Sequence, residues 1–344
     1  METITNNTIE LLVPKKKTLC LIGDLDGSMS NFLIHLRSLK LTKRWNLINQ
    51  LLGKLPTWIG WSMRLILSGD ILADRSTDGF SILQLVNHLR SQAELLWGGI
   101  DILAWNHEEK MIWFLVGNYG DTITLASQWT NWDHRGITEL SEFWSDRSSI
   151  LDKMRTTDKW RMILSEIWRM NLILIQWDTI HSHTPMSKWM LDSILALYHQ
   201  SGNSIASTID HLNSSWRQLL TRLLWEKNLQ PDEYYRLLAE YRYLANIFLH
   251  PLNGTRESII RRWWHPGHRI DKIVPDKHPA YDAFLNSWIH TIYHGHTDDK
   301  IAVAGLQVVS VNRRTARIEQ VIHSPIDDIR DTIRDRSGTI VNGK

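Results

Sequence analysis

Cysteine is almost absent. Cys20 is the single one in 344 residues, which excludes an internal disulfide and makes a reducing compartment acceptable. Nowhere do eighteen apolar residues run together, and residues 1 to 17 lack the apolar centre of a signal peptide, so neither a membrane span nor a secretory leader is expected and a cytoplasmic protein is the default. Charge of one sign is lacking too: 39 Lys and Arg face 37 Asp and Glu, for a net charge of +2. That balance argues against nucleic acid, which is met by a basic face or stripe. Glycine is scarce, 18 residues where an average share of about 7% would give roughly 24. Tryptophan is its counterpart, also 18, several times the usual share. No internal repeat and no low-complexity tract is present.

What is there suits a folded enzyme-sized chain. Apolar residues make up 43% and charged residues 22%, enough for one large domain or two ordinary ones. The 16 His make the real charge sensitive to mild acid. Residues 1 to 16 read as a flexible lead-in and 325 to 344 as a charged tail, leaving 17 to 324 as the folded domain.

The chain is organised around Leu65 to Glu108. An apolar run (Leu65, Ile66, Leu67) stops at Ser68-Gly69-Asp70, with Asp74 and Arg75 following. Ile82, Leu85, Val86 and Leu89 then recur at helical spacing, and a second apolar run (Ile100, Ile102, Leu103) stops at Asn106-His107-Glu108. This is a β-α-β unit with metal-competent side chains at both strand ends, the place where open α/β sheets bind ligands. Upstream, Thr18 to Ile22 reads as a strand ending in Gly23-Asp24-Leu25-Asp26-Gly27, with a helix over Phe32 to Leu39. Downstream, Leu172 to Gln176 and Thr179 to Ser182 read as a hairpin ending at His183-Thr184-Pro185. Residues 186 to 250 are strongly helical and read as an insertion, a cap or accessory lobe. Ile289 to Tyr293 is a strand running into His294-Gly295-His296-Thr297, and Leu306 to Asn312 and Ala316 to Val321 are closing strands.

Five strand ends thus carry oxygen or imidazole donors: Asp24 and Asp26, Asp70, Asn106, His183 and His296. A mixed Asp/Asn/His set suits Mn²⁺ first, with Fe or Zn²⁺ as alternatives, over the all-oxygen preference of Mg²⁺ or Ca²⁺. Two such ions form a clamp for in-line attack on phosphorus. His181 and His183 alternate along one strand and are expected on opposite faces or on either side of the strand end, with His183, next to Thr184-Pro185, as the ligand. His294 is expected beneath the site or outside it, and Glu108 as a partner of ligands instead of a ligand.

The ordered set resembles the calcineurin-like metallophosphoesterases, in the branch that holds the Ser/Thr protein phosphatases and the bacterial diadenosine tetraphosphate hydrolases. The family pattern is GDxHG, GDxxDRG, GNHE, an isolated His, then GHT, and the likeness runs from about Cys20 to Val311. It implies an α/β fold of two packed sheets flanked by helices (α-β-β-α), here with the helical insertion. It also implies two divalent cations. Asp24 and Asp70 would hold the first, with Asp70 bridging, and Asn106, His183 and His296 would complete the second. Arg75 would bind phosphate, and His107, oriented by Asp74, would protonate the leaving group. The substrate would be a phosphoprotein or a nucleotide, and no membrane is involved.

Three departures stand out. Asp26 occupies the place of the family His, a harder ligand; three residues separate Asp70 from Asp74 where the family has two; and Trp105 takes the place of the Gly before Asn106. Trp177 and Trp288 likewise stand where Gly is natural. Either some Trp codons are UGA triplets read as glycine, or the chain is Trp-rich and uses Trp as core aromatics. The leading functional expectation is a two-metal phosphoesterase acting on a phosphate ester or a polyphosphate anhydride. The alternative is a catalytically impaired phosphate- or metal-binding interaction protein, which Asp26 favours. A nucleic-acid phosphodiesterase would need a basic track, and only Arg256 to Arg269 offers one.

Overall fold

The computed structural model describes residues 18–23, 25, 27–43, 54–72, 78–104, 106–116, 150–249, 274–295, 303, 305–311 and 316–320, the last stretch and Asn106, Lys110, Trp113 and Phe114 by backbone. Two four-stranded sheets carry it. In the first, β1 (Thr18–Ile22), β2 (Arg64–Leu67) and β3 (Gly99–Ile102) run parallel, with Leu19 opposite Arg64 and Leu65 opposite Ile100. Strand β8 (Ala316–Gln320) closes that sheet antiparallel to β1, giving the order β3-β2-β1-β8. In the second, β4 (Ile173–Gln176) and β5 (Thr179–Ser182) form the expected hairpin, and β6 (Thr291–His294) and β7 (Gln307–Ser310) follow parallel to β5.

Period-two patterning sets the layers. Along β1 and β2, Leu19, Leu21 and Ile66 join Leu103, Tyr293, Val309 and Val311 in one small apolar cluster, so the two sheets face each other. The alternate residues Cys20, Ile22, Leu65 and Leu67 turn outward into the large helix-lined core, as do Ile173, Ile180 and Ile292 of the second sheet. Strands buried on both faces read as continuous apolar runs, which is why TLCLI and RLIL carry no polar alternation beyond their first residues.

The helices supply the outer layers. After β1 comes α1 (Met29–Ser38), and between β2 and β3 lies α2 (Gly79–Leu95), which buries Phe80, Ile82, Leu83, Leu85, Val86, Leu89 and Ala93. Then follow α3 (Asn106–Val116), α4 (Ile150–Thr156) and α5 (Asp158–Arg169). The strongly helical stretch is α6 (Lys188–Gln200), α7 (Ile205–Trp225) and α8 (Pro231–Leu244), the last continued by one π turn, Ala245–Leu249. Helix α7 packs on β4 and α5, burying Trp216 against Tyr241 of α8. Helix α9 (Pro279–Asn286) precedes β6. Strand β6 begins two residues later than the sequence pattern suggests, because Trp288 and Ile289 still complete the turn out of α9. The two closing strands part company: β7 joins the second sheet and β8 the first. No described helix is long and apolar enough to cross a membrane.

A buried ion pair fixes α2 against α5. Arg90 bonds Glu166, both side chains being buried, and Asn87 Nδ2 donates to the other Glu166 oxygen at 2.9 Å. Arg90 Nε also donates to Ile100 O at 2.9 Å, tying the pair to β3. Removing one partner of such a pair strands the other charge away from water, at about 3–5 kcal/mol. Glu166→Ala is therefore expected to lower the unfolding free energy by about that much, read as a lower urea midpoint with little change in slope.

Candidate active site

The site begins where β2 ends. Ser68 N–H continues the ladder to Ile22 O at 2.9 Å, and the chain then turns sharply through Gly69 (φ +101°) and Asp70 (φ +53°). An aspartate in the left-handed region is strained by roughly 1–2 kcal/mol. The compensation comes from Glu108, fully buried in the first turn of α3. Its Oε2 accepts Asp70 N–H at 3.1 Å, and its Oε1 accepts the N–H groups of Ile71 and Leu72 at 2.6 and 2.9 Å. Hydrogen bonds to a charged acceptor contribute about 1.5–3 kcal/mol each, so this capture outweighs the strain. Burial pushes the Glu108 carboxyl up from its ordinary value, and the three N–H donors oppose that shift by favouring the carboxylate.

Two further contacts pin the turn. Gly27 N–H donates to Asp70 O at 3.1 Å, which brings the end of the first strand's loop onto the Asp70 turn. Gly79, the first residue of α2, lies so close that a Cβ there would meet Ile71 O at 2.5 Å, a separation no side chain tolerates. Asp78 just before it does not cap its own helix; its carboxylate accepts Met29 N–H of α1 at 3.2 Å.

The second sheet delivers its residue from β5. His183, one residue beyond that strand and buried, donates from Nδ1 to Ser68 O. A neutral imidazole bonded in this way carries its lone pair on Nε2, and that nitrogen lies 3.9 Å from Asp70 Oδ2. That separation is too long for a hydrogen bond. It lies within the span of an oxygen and a nitrogen ligand each about 2.0–2.2 Å from one cation. Metal-binding histidines characteristically donate their other ring N–H to a carbonyl or carboxylate, so this pair fits a borderline divalent ion. Asp70, one of the two, is the carboxylate that the family resemblance assigns as the bridge.

The structure places the sequence candidates unevenly. Asp70 and His183 meet, Glu108 supports the Asp70 turn, and Asn106 and His107 occupy the first turn of α3, His107 half-buried. Asp24, Asp26, Asp74, Arg75, Trp105 and His296 lie outside the described residues. Strand β6 ends beside β5, with His294 opposite Ser182, so Gly295 and His183 leave the same sheet edge one residue after their strands. His294 is buried, with Nδ1 2.9 Å from Gly295 O. Among the described residues no group of three or more His, Cys, Asp or Glu side chains gathers for a metal.

Of the two alternatives for His181 and His183, the second holds: His181 lies within β5 and His183 one residue beyond its end. His181 is stacked on Tyr293 of the neighbouring strand with ring centroids 5.0 Å apart. Thr179 Oγ1 donates to Gln176 O at 2.6 Å, so it accepts from His181 Nε2 at 2.7 Å. Burial holds the His181 pKa down at about 3. Two features of the site had no mark in the sequence: the Ser68 carbonyl, which fixes the His183 tautomer, and the Asp78 carboxylate, whose position before α2 reads as an ordinary N-cap.

No family model and no curated protein matches the chain. Among solved structures, a cold-active protein-tyrosine phosphatase of a psychrophilic Shewanella species is similar, at 15% identity and TM-score 0.48, over 87% of this chain and 71% of that one. A point mutant of a cold-active protein tyrosine phosphatase aligns at 16% identity and TM-score 0.49, over the same shares. The phosphatase domain of the Legionella effector WipB aligns at 14% identity and TM-score 0.43, over 85% of this chain and 97% of that one.

Two outcomes follow from this geometry. Glu108→Ala leaves three buried N–H groups without their acceptor, and at about 1–3 kcal/mol for each it is expected to destabilise the chain and to speed amide exchange at Ile71 and Leu72 more than in the helices. For His181, the folded pKa of about 3 lies below the ordinary 6.5, so the unfolded chain binds the extra proton. Its contribution is complete above about 6.5 and is lost as pH falls toward about 3. His181→Phe keeps the stack and removes the proton; across that window wild-type stability should fall more steeply than the variant's, by up to about 1.4 kcal/mol per pH unit.

Proposed function

We propose that the chain is a metal-dependent phosphoesterase of the calcineurin-like type, hydrolysing a phosphate monoester or a polyphosphate anhydride. The observation that carries this reading is the meeting of Asp70 and His183. An aspartate held at positive φ by a buried carboxylate lies 3.9 Å from an imidazole nitrogen whose tautomer is set by a backbone carbonyl. Asp70 and His183 would hold divalent cations together with Asp24, Asp26, Asn106 and His296, with Mn²⁺ preferred and Fe or Zn²⁺ acceptable to the same donors. When bound, a pair of such ions lowers the pKa of water and neutralises charge on the phosphoryl group.

The chain's own residues do the rest. Arg75 neutralises the non-bridging phosphate oxygens. His107, at the start of α3, gives a proton to the leaving oxygen, with Asp74 orienting its ring. Glu108 keeps the Asp70 carboxylate aimed by holding the turn that carries it. The residues named read phosphate alone, so both a phosphoprotein and a nucleotide remain within this substrate class.

The test is hydrolysis of a generic aryl phosphate by the purified full chain, with Mn²⁺ or with chelator, beside Asp70→Asn. Turnover that needs the metal and falls by more than about 100-fold in the variant is expected, since even residues behind metal ligands are worth 10–100-fold. A folded chain with no turnover in any divalent metal on monoesters or on dinucleoside polyphosphates overturns the reading.

A further inference from the structure

Seven described residues other than glycine have positive φ, and four of them are tryptophan: Trp61, Trp97, Trp177 and Trp288. A bulky side chain there is a conformational outlier, whereas asparagine and aspartate, the residues known to tolerate it, account for Asn203 and Asp70. The seventh is Lys40, in the left-handed position after α1, with Leu41 N–H donating to Leu36 O. Each of the four sits at a turn position whose ordinary occupant is glycine.

Trp97 and Trp288 follow helices α2 and α9 at matching places. Trp97 N–H donates to Glu94 O and Gly98 N–H to Ala93 O; Trp288 N–H donates to Leu285 O and Ile289 N–H to Phe284 O. Both are Schellman motifs, with the tryptophan in the left-handed position that glycine fills by default. The same motif after α6 has Gly202 (φ +69°) in that place. Trp177 is the first residue of the two-residue loop joining β4 to β5, where positive φ calls for glycine. Trp61 is the second residue of the turn closed by Met63 N–H to Gly60 O, again a positive-φ position.

Trp61 and Trp97 are 71% and 86% exposed, Trp288 is 47% exposed and edge-on to His290, and Trp177 is half-buried against the apolar cluster between the sheets. Among the described tryptophans at ordinary φ, Trp189 on α6 is 48% exposed, but four others are packed or bonded. Trp216 is fully buried and stacked on Tyr241, Trp160 is buried edge-on to Phe80, and Trp168 Nε1 donates to Arg217 O and Thr221 Oγ1. Trp58 is buried and donates to Trp61 O, a backbone oxygen that would survive any change at position 61.

We infer that the tryptophans of this chain are two populations, and that the natural protein carries glycine at positions 61, 97, 177 and 288, encoded by UGA triplets that its source organism reads as glycine. Trp58, Trp160, Trp168 and Trp216 are tryptophan in the natural protein as well. The inference rests on backbone geometry and is independent of the proposed function. Its extension to Trp105, immediately before Asn106 of α3, rests on the phosphoesterase reading, because the motif there calls for glycine.

Coding DNA and peptide mass spectrometry of the protein from its source decide it. UGA at 61, 97, 177 and 288, UGG at 58, 160, 168 and 216, and peptides carrying glycine at the first four are expected. UGG at any of the first four, or an indole in those peptides, overturns it. The recombinant chain gives a second readout: the quadruple variant W61G/W97G/W177G/W288G should unfold at a higher temperature than the chain as written, while W216G unfolds lower, and a quadruple variant no more stable than its parent counts against the inference. Should the four positions prove to be glycine while Trp105 is encoded by UGG, the geometric inference stands and only its extension fails.

Discussion

The carboxylate of Glu108 lies buried at the start of α3, and the three N–H groups it holds belong to the exit of a different element, β2. A strand that ends in a left-handed aspartate has several consecutive amides pointing inward with no ladder to join. Without an acceptor they would have to turn toward water and carry the Asp70 side chain with them. With Glu108 in place, the turn cannot relax, and the aspartate stays at the rim of the sheet. The same contact explains why α3 starts where it does: its first turn must sit against the β2 exit for the acid to reach. Local strain is kept at the site and offset by a partner one β-α-β unit away in sequence.

A second constraint comes from the other sheet. Among the described residues the apolar cluster between the sheets holds seven buried side chains. His183 adds a contact of a different kind, since its bond to Ser68 O links the end of β5 directly to the end of β2. One imidazole thus joins the two layers and presents its second nitrogen to Asp70. His181, two residues earlier, serves the same interface without chemistry, stacked on Tyr293 and held neutral by burial.

Much of this was legible in residue order. Continuous apolar runs mark β1 and β2, helical spacing marks α2, and Asp70, Asn106-His107-Glu108 and His183 each follow an apolar run, which is how side chains reach a sheet's carboxyl edge. What was illegible depends on contacts between distant segments. The pattern ARIEQ reads as a strand but does not say which sheet takes it, and β8 pairs with β1 rather than with its neighbour β7. Asp78 stands just before α2, and its carboxylate serves α1. His181 and His183 look alike in sequence, and only the ends of the strands around them make one a stacked core residue and the other a site residue.

Composition and backbone meet in the tryptophans. The number of left-handed turn positions in a chain is set by how its elements connect: helices that end in Schellman motifs and hairpins with two-residue loops need them whatever the sequence. A chain with this many tight connections and only 18 glycines falls short of the roughly 24 that an average share of about 7% gives. Five more, at 61, 97, 105, 177 and 288, would bring 18 to 23, so the glycine deficit and part of the tryptophan excess become one fact. Trp216, stacked on Tyr241, is an indole that stays tryptophan on this reading. In sequence, position 105 stands between Ala104, whose N–H bonds Asn171 O, and the first residue of α3, the helix that carries Glu108.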